Sequence, residues 1–100
     1  MNPSVYPSRE DRAATASGSL YYRIAGTAGE LPDVVLEAGG MCTLNIWSQI
    51  EQVLAPHTRL LSYDRAGLGK SPADGLGCSA AAVSRRLEAL VETTQMRRPL

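Results

Sequence analysis

The chain has 100 residues, enough for one domain or part of one, and its 44% hydrophobic content excludes a mainly disordered protein. Ten acidic and ten basic residues cancel, and no basic stripe marks a nucleic-acid surface. No apolar run approaches the roughly 20 residues that span a bilayer, and the polar start lacks the apolar core of a signal peptide, so the cytoplasm is the expected compartment.

Residues 1–17 are expected to form a flexible leader or one weak edge strand, with the domain proper over 18–100. Ser19 to Ala25, with its aromatic and β-branched residues, reads as a strand ending at Gly26. A turn from Gly26 to Pro32 leads to a wholly apolar strand, Val34-Val35-Leu36, of the kind covered on both faces in a parallel sheet. Gly39-Gly40 turns the chain. Then Ile46, Trp47, Ile50, Val53 and Leu54 recur at helical spacing until Pro56. Arg59 to Tyr63 is the next strand, and Asp64 to Gly77 a loop with four glycines and Pro72.

The last element begins near Ser79, a suitable N-cap, and Pro99 limits its length. Ala80, Val83, Leu87, Leu90 and Val91 share its apolar face; Arg85, Arg86, Glu88 and Glu92 lie away from it. The Arg85-Arg86 and Arg97-Arg98 pairs read as solvated helix positions. Strands alternating with helices argue for an α/β sheet built from right-handed crossovers. Cys42 and Cys78, far apart and outside any CxxC spacing, read as reduced packing thiols, with no metal site.

Gly67-Leu68-Gly69-Lys70-Ser71 ends like a P-loop, but Asp64 occupies the place of the first glycine, and Pro72 follows where a helix should open. A dinucleotide fingerprint fails because Pro72 stands at the third glycine position. His57, between a helix and a strand, lies at the end of the sheet opposite the usual ligand side and reads as a surface residue. No cofactor is implied. The turn Leu36-Glu37-Ala38-Gly39-Gly40-Met41 puts small residues at the carboxyl end of a buried strand, where backbone N–H groups can face a cavity. Taken locally, a plain strand-to-helix turn is the favoured reading, since glycines there need only serve the turn.

Two stretches together shift that balance. Val34 to Gly40, with Trp47 soon after, resembles the strand and oxyanion turn of α/β-hydrolases. Thr58 to Ser71 resembles the same family's next strand and its Asp-Arg-x-Gly-x-Gly-x-Ser loop, at matching separation. The resemblance covers residues 18–100. It implies a partial α/β-hydrolase sheet of about three to four strands, mostly parallel at its core, with two helices. It further implies that Gly40 supplies a backbone N–H to an oxyanion, that Met41 lines the same pocket and that Gly39 is the turn glycine. Ala38 stands where many relatives carry histidine. Asp64 and Arg65 are expected to fix the loop that Gly67 and Gly69 shape, with Asp64 no triad acid.

The family's nucleophile elbow, G-x-S-x-G, occurs nowhere in the chain. Acid, histidine and nucleophile are all expected downstream, so the chain alone is expected to be inactive and to take a small-molecule substrate only in a full-length form. The resemblance also places Val34–Leu36 beside the missing elbow strand. A bare edge there invites self-association, and a non-catalytic interaction module using that edge is the alternative function.

Overall fold

The computed structural model describes residues 6–15, 18–38, 42–73 and 79–97. Strand β1, Ser8–Thr15, runs antiparallel to β2, Gly18–Ala25, from the Ser8–Ala25 pair to the Thr15–Gly18 pair. β2 is also antiparallel to β4, Leu60–Tyr63, and β4 is parallel to β3, Val34–Glu37. The order across the sheet is therefore β1-β2-β4-β3, and the sheet is mixed. Its parallel part is the β3–β4 pair, joined by a 3-10 turn, Leu44–Trp47, and helix α1, Ser48–Leu54. Helix α2, Ala80–Thr94, follows the loop after β4. The Ser8–Thr15 segment, left open between leader and edge strand, is paired along its whole length.

Burial follows the two-residue period of the strands. On one face Leu20, Tyr22 and Ile24 of β2 and Leu61 and Tyr63 of β4 pack with Leu90 and Val91 of α2 and with Met96. On the other, Ala25 and Leu60 meet Ala55, with Val34, Leu54 and Tyr6 alongside. All four residues of β4 are buried, as a strand flanked on both sides and covered on both faces must be. β1 is the opposite case. Ser8 to Arg12 are all exposed, and their charges protect the sheet edge from pairing with another chain.

Two helix readings need correction. In the first, the apolar stripe splits: Leu54 packs beside Ala55, while Ile46, Ile50 and Val53 are 59%, 44% and 66% exposed. Leu44, Glu51 and Ala55 turn inward instead. Glu51 is drawn there by Arg23 on β2, whose Nε lies 2.8 Å from its carboxylate, and by the Tyr6 hydroxyl, which donates to it at 3.0 Å. A carboxylate with two good partners tolerates a buried site better than an unpaired one would. The opening 3-10 turn also rotates the stripe from where continuous α-helical spacing would put it.

In α2, Arg86 is buried rather than solvated, because positions 83, 86 and 90 fall on one face and carry it over the end of β4. Arg85 is exposed as expected. Ser79 caps the helix by accepting from Ala82 N–H at 3.2 Å. At the other end Gln95 turns left-handed, with φ 58°, and Met96 N–H donates back to the Val91 carbonyl. The helix therefore stops before Pro99 is reached. Arg97 lies beyond it, and its backbone N–H donates to the buried carboxylate of Asp33 at 2.6 Å.

Candidate active site

Gly39, Gly40 and Met41 lie outside the described residues; both flanks of that turn lie within them. On the near side are Glu37, the last residue of β3, and Ala38, which is buried. On the far side Cys42 and Thr43 lead into Leu44. Both flanks are held by the carboxyl end of β4 and the loop that follows it.

The far flank is held by Asp64, next after β4 and buried. Leu44 N–H donates to its Oδ1 at 2.7 Å, and Lys70 N–H donates to its Oδ2 at 2.8 Å. The same residue's carbonyl accepts from the Ser71 hydroxyl at 2.6 Å, while the Ser71 Oγ accepts from Tyr21 N–H at 2.8 Å. One carboxylate thus joins the start of the 3-10 turn to the loop, and one buried hydroxyl joins that loop to β2. A carboxylate taking charge-assisted bonds from two backbone donors makes a stiff junction.

Gly67 and Gly69 shape the loop as their φ values of 82° and 52° require. At Gly69 a Cβ would collide with the Asp64 carboxylate itself, so the glycine also makes room for the latch. Lys70 and Ser71 are engaged in loop bonds and open no helix. Lys70 Nζ sits 4.8 Å from the centroid of the Tyr21 ring. Nothing here has the geometry of a phosphate cradle.

The near flank is held by Tyr63 and Arg65. The parallel register places Glu37 opposite Tyr63. The Tyr63 hydroxyl donates to Glu37 Oε1 at 2.6 Å, and Arg65 Nε stands 3.9 Å from Oε2. Burial pushes the Tyr63 phenol up from its ordinary range, and the hydrogen bond to Glu37 and that carboxylate's charge add to the effect against Arg65 and Arg86. Arg86, Val83 and Ala66 close over Tyr63 and leave a hollow of about 10 Å³, roughly the room one water needs.

No family model matches the chain. It is 34% identical over 74 residues to an AB hydrolase superfamily protein of Gibberella zeae, matching 73% of this chain and 23% of that protein. A hydrolase from Pseudomonas aeruginosa is 31% identical and superposes with a TM-score of 0.78, covering 90% of this chain and 34% of its own. The enol-lactonase from Burkholderia xenovorans, 29% identical, also gives 0.78, over 85% of this chain and 33% of its own. The chain carries part of an α/β-hydrolase fold. It spans between 23% and 34% of the length of these relatives.

Within this partial α/β-hydrolase fold, Asp64, Arg65, Gly67 and Gly69 gather with Glu37 at the carboxyl ends of the parallel strands, the side where α/β sheets carry their chemistry. His57 is exposed in the turn before β4, at the opposite end. So is a hollow of about 170 Å³ lined by Pro7, Ser8, Arg9, Ile24, Gly26 and Thr27, because Ala25 pairs with Leu60 at the start of β4. Among the described residues no group of three or more His, Cys, Asp and Glu side chains could hold a metal ion. No helix among the described residues is long and apolar enough to cross a membrane. Glu37 did leave a signal, a lone carboxylate closing an apolar strand. Its partner could be named only once the register was known.

Proposed function

We propose that residues 38–44 form the oxyanion element of an α/β-hydrolase acting on an ester or related bond. The Gly40 backbone N–H is the donor, Gly39 makes the turn, and Met41 lines the pocket. The observation that supports this is the double hold on the turn: Glu37 on Tyr63 before it, and Leu44 N–H on Asp64 after it. An oxyanion donor contributes about 3 kcal/mol to a transition state only when it is already in place as charge develops. Stiff flanks supply that preorganisation.

The 100-residue chain is catalytically silent by itself on this reading, because its sequence contains no G-x-S-x-G elbow to create the oxyanion. A small-molecule substrate belongs to a form that also carries the nucleophile, acid and histidine. A cytoplasmic location accompanies the reading, in keeping with two cysteines outside any paired spacing. The test is hydrolysis of short-chain model esters by the purified chain, with size-exclusion chromatography of the same sample. No turnover above the uncatalysed rate is expected. Turnover by the folded species would overturn the proposal, since a nucleophile would have to lie within these residues.

A further inference from the structure

The register of β3 on β4 is what brings Glu37 to Tyr63, and the strands themselves do little to choose it. Both are four residues long; Val34, Val35 and Leu36 are all partly buried, and every residue of β4 is buried. Where one face is apolar and the other polar, a slip of one residue is strongly opposed, because it turns every side chain over. Val-Val-Leu beside Leu-Leu-Ser has no such alternation. Moved by one residue, Val35 and Leu36 would meet Leu60 and Leu61, and Glu37 would face Ser62 instead of Tyr63.

The fixed point lies at the other end of the pair. Asp33 and Arg59 come immediately before Val34 and Leu60, which are register partners. Asp33 is fully buried. Arg59 donates to its Oδ2 from Nε at 3.1 Å and from Nη2 at 2.6 Å, and Arg97 N–H donates to the same oxygen at 2.6 Å. Beside it the Thr58 hydroxyl donates to the Pro32 carbonyl at 2.7 Å, and Val34 N–H donates to the Arg59 carbonyl at 3.0 Å. A slip of one residue would carry Asp33 about 3.3 Å along the sheet. Its bonds would break and leave a carboxylate buried without compensation, which is strongly destabilising. Glu37 is under no such constraint. Its side chain is 33% exposed and Arg65 stands 3.9 Å away; released from Tyr63 it turns to water, and an ion pair that open contributes little.

We infer that Asp33 and Arg59 are positioning residues for the turn after β3: they select the register, and the register delivers Glu37 to Tyr63 at the near flank. The inference rests on the reading of residues 38–44 as an oxyanion element. The two residues lie at the amino end of the β3–β4 ladder and act through its four residue pairs on the carboxyl end, where the turn begins. The buried charge sets the alignment, and the half-open one receives it.

A double-mutant cycle on Glu37→Ala and Tyr63→Phe, read by urea unfolding of the 100-residue chain, measures the coupling between those two side chains. The cycle is repeated in Asp33→Asn/Arg59→Met, which removes both charges of the buried pair together. The coupling present in the unaltered chain is expected to disappear in that background. A pair that only adds stability would leave it as it was, because distant sites without shared partners are additive. Ser79→Ala, which removes the cap of α2, is the control background of lowered stability and keeps the coupling. Asp33→Asn alone retains an acceptor for Arg59 and Arg97 N–H, so it disturbs the fold less, and there the coupling is expected to weaken. Coupling unchanged in Asp33→Asn/Arg59→Met would overturn the inference; where that chain does not fold, coupling unchanged in Asp33→Asn would do so. Absence of coupling in the unaltered chain would also overturn it. The cycle involves no substrate, so its failure is separate from failure of the oxyanion reading, which ester hydrolysis tests.

Discussion

The carboxylate of Asp64 serves two backbone donors from different segments, and that double duty makes it intolerant of its own amide. Asp64→Asn would present an NH2 group to either Leu44 N–H or Lys70 N–H, leaving a buried donor unpaired. The expected loss is about 1–3 kcal/mol of stability, read as a lower urea midpoint. Gly69→Ala should cost about 1–2 kcal/mol for its left-handed backbone alone, and more because its Cβ displaces the Asp64 carboxylate.

Tyr63 gives a pH signature. Its folded-state pKa is raised, so the stability it contributes is complete below the unfolded value of about 10 and declines as pH rises above it. Tyr63→Phe should flatten that alkaline decline in thermal melts, though not abolish it, because burial and Glu51 also raise Tyr6. At this scale Asp64 was visible in the sequence through its motif. The Leu44 and Tyr63–Glu37 bonds were not, because they connect residues that only the crossover and the register bring together.

Elements were more legible at their starts than in their faces. The N-cap of α2 was visible as Ser79, because a short hydroxyl before an apolar-periodic run has a local reason to be there. Its stop was not, because the chain ends the helix with a left-handed glutamine rather than with Pro99. Gln95→Gly is expected to stabilise the domain by up to about 1 kcal/mol, seen as a higher melting temperature, since glycine removes the left-handed penalty. The periodicity of α1 identified a helix, yet three of its apolar residues, Ile46, Ile50 and Val53, are exposed. Hydrophobic spacing says which residues share a face; it does not say that this face meets the nearest sheet. There the pull of Arg23 on Glu51 decided the orientation, and Arg86 over Tyr63 is the same lesson in α2.

For the molecule as a whole, the alternation of strands and helices and the two spaced motifs were enough to name an α/β-hydrolase sheet. The order β1-β2-β4-β3 and its mixed directions needed the structure, since short strands carry no mark of their neighbours. The functional claim rests on the hold that Tyr63 keeps on Glu37 and Asp64 keeps on Leu44. The most direct test joins residues 1–100 to the portion of the Gibberella zeae relative beyond its matched segment and measures ester hydrolysis. The account predicts turnover by the folded chimera, falling about 10²–10³-fold in kcat when Gly40→Pro removes the backbone N–H. A folded chimera that is silent, or one that turns over equally well with Gly40→Pro, would contradict it.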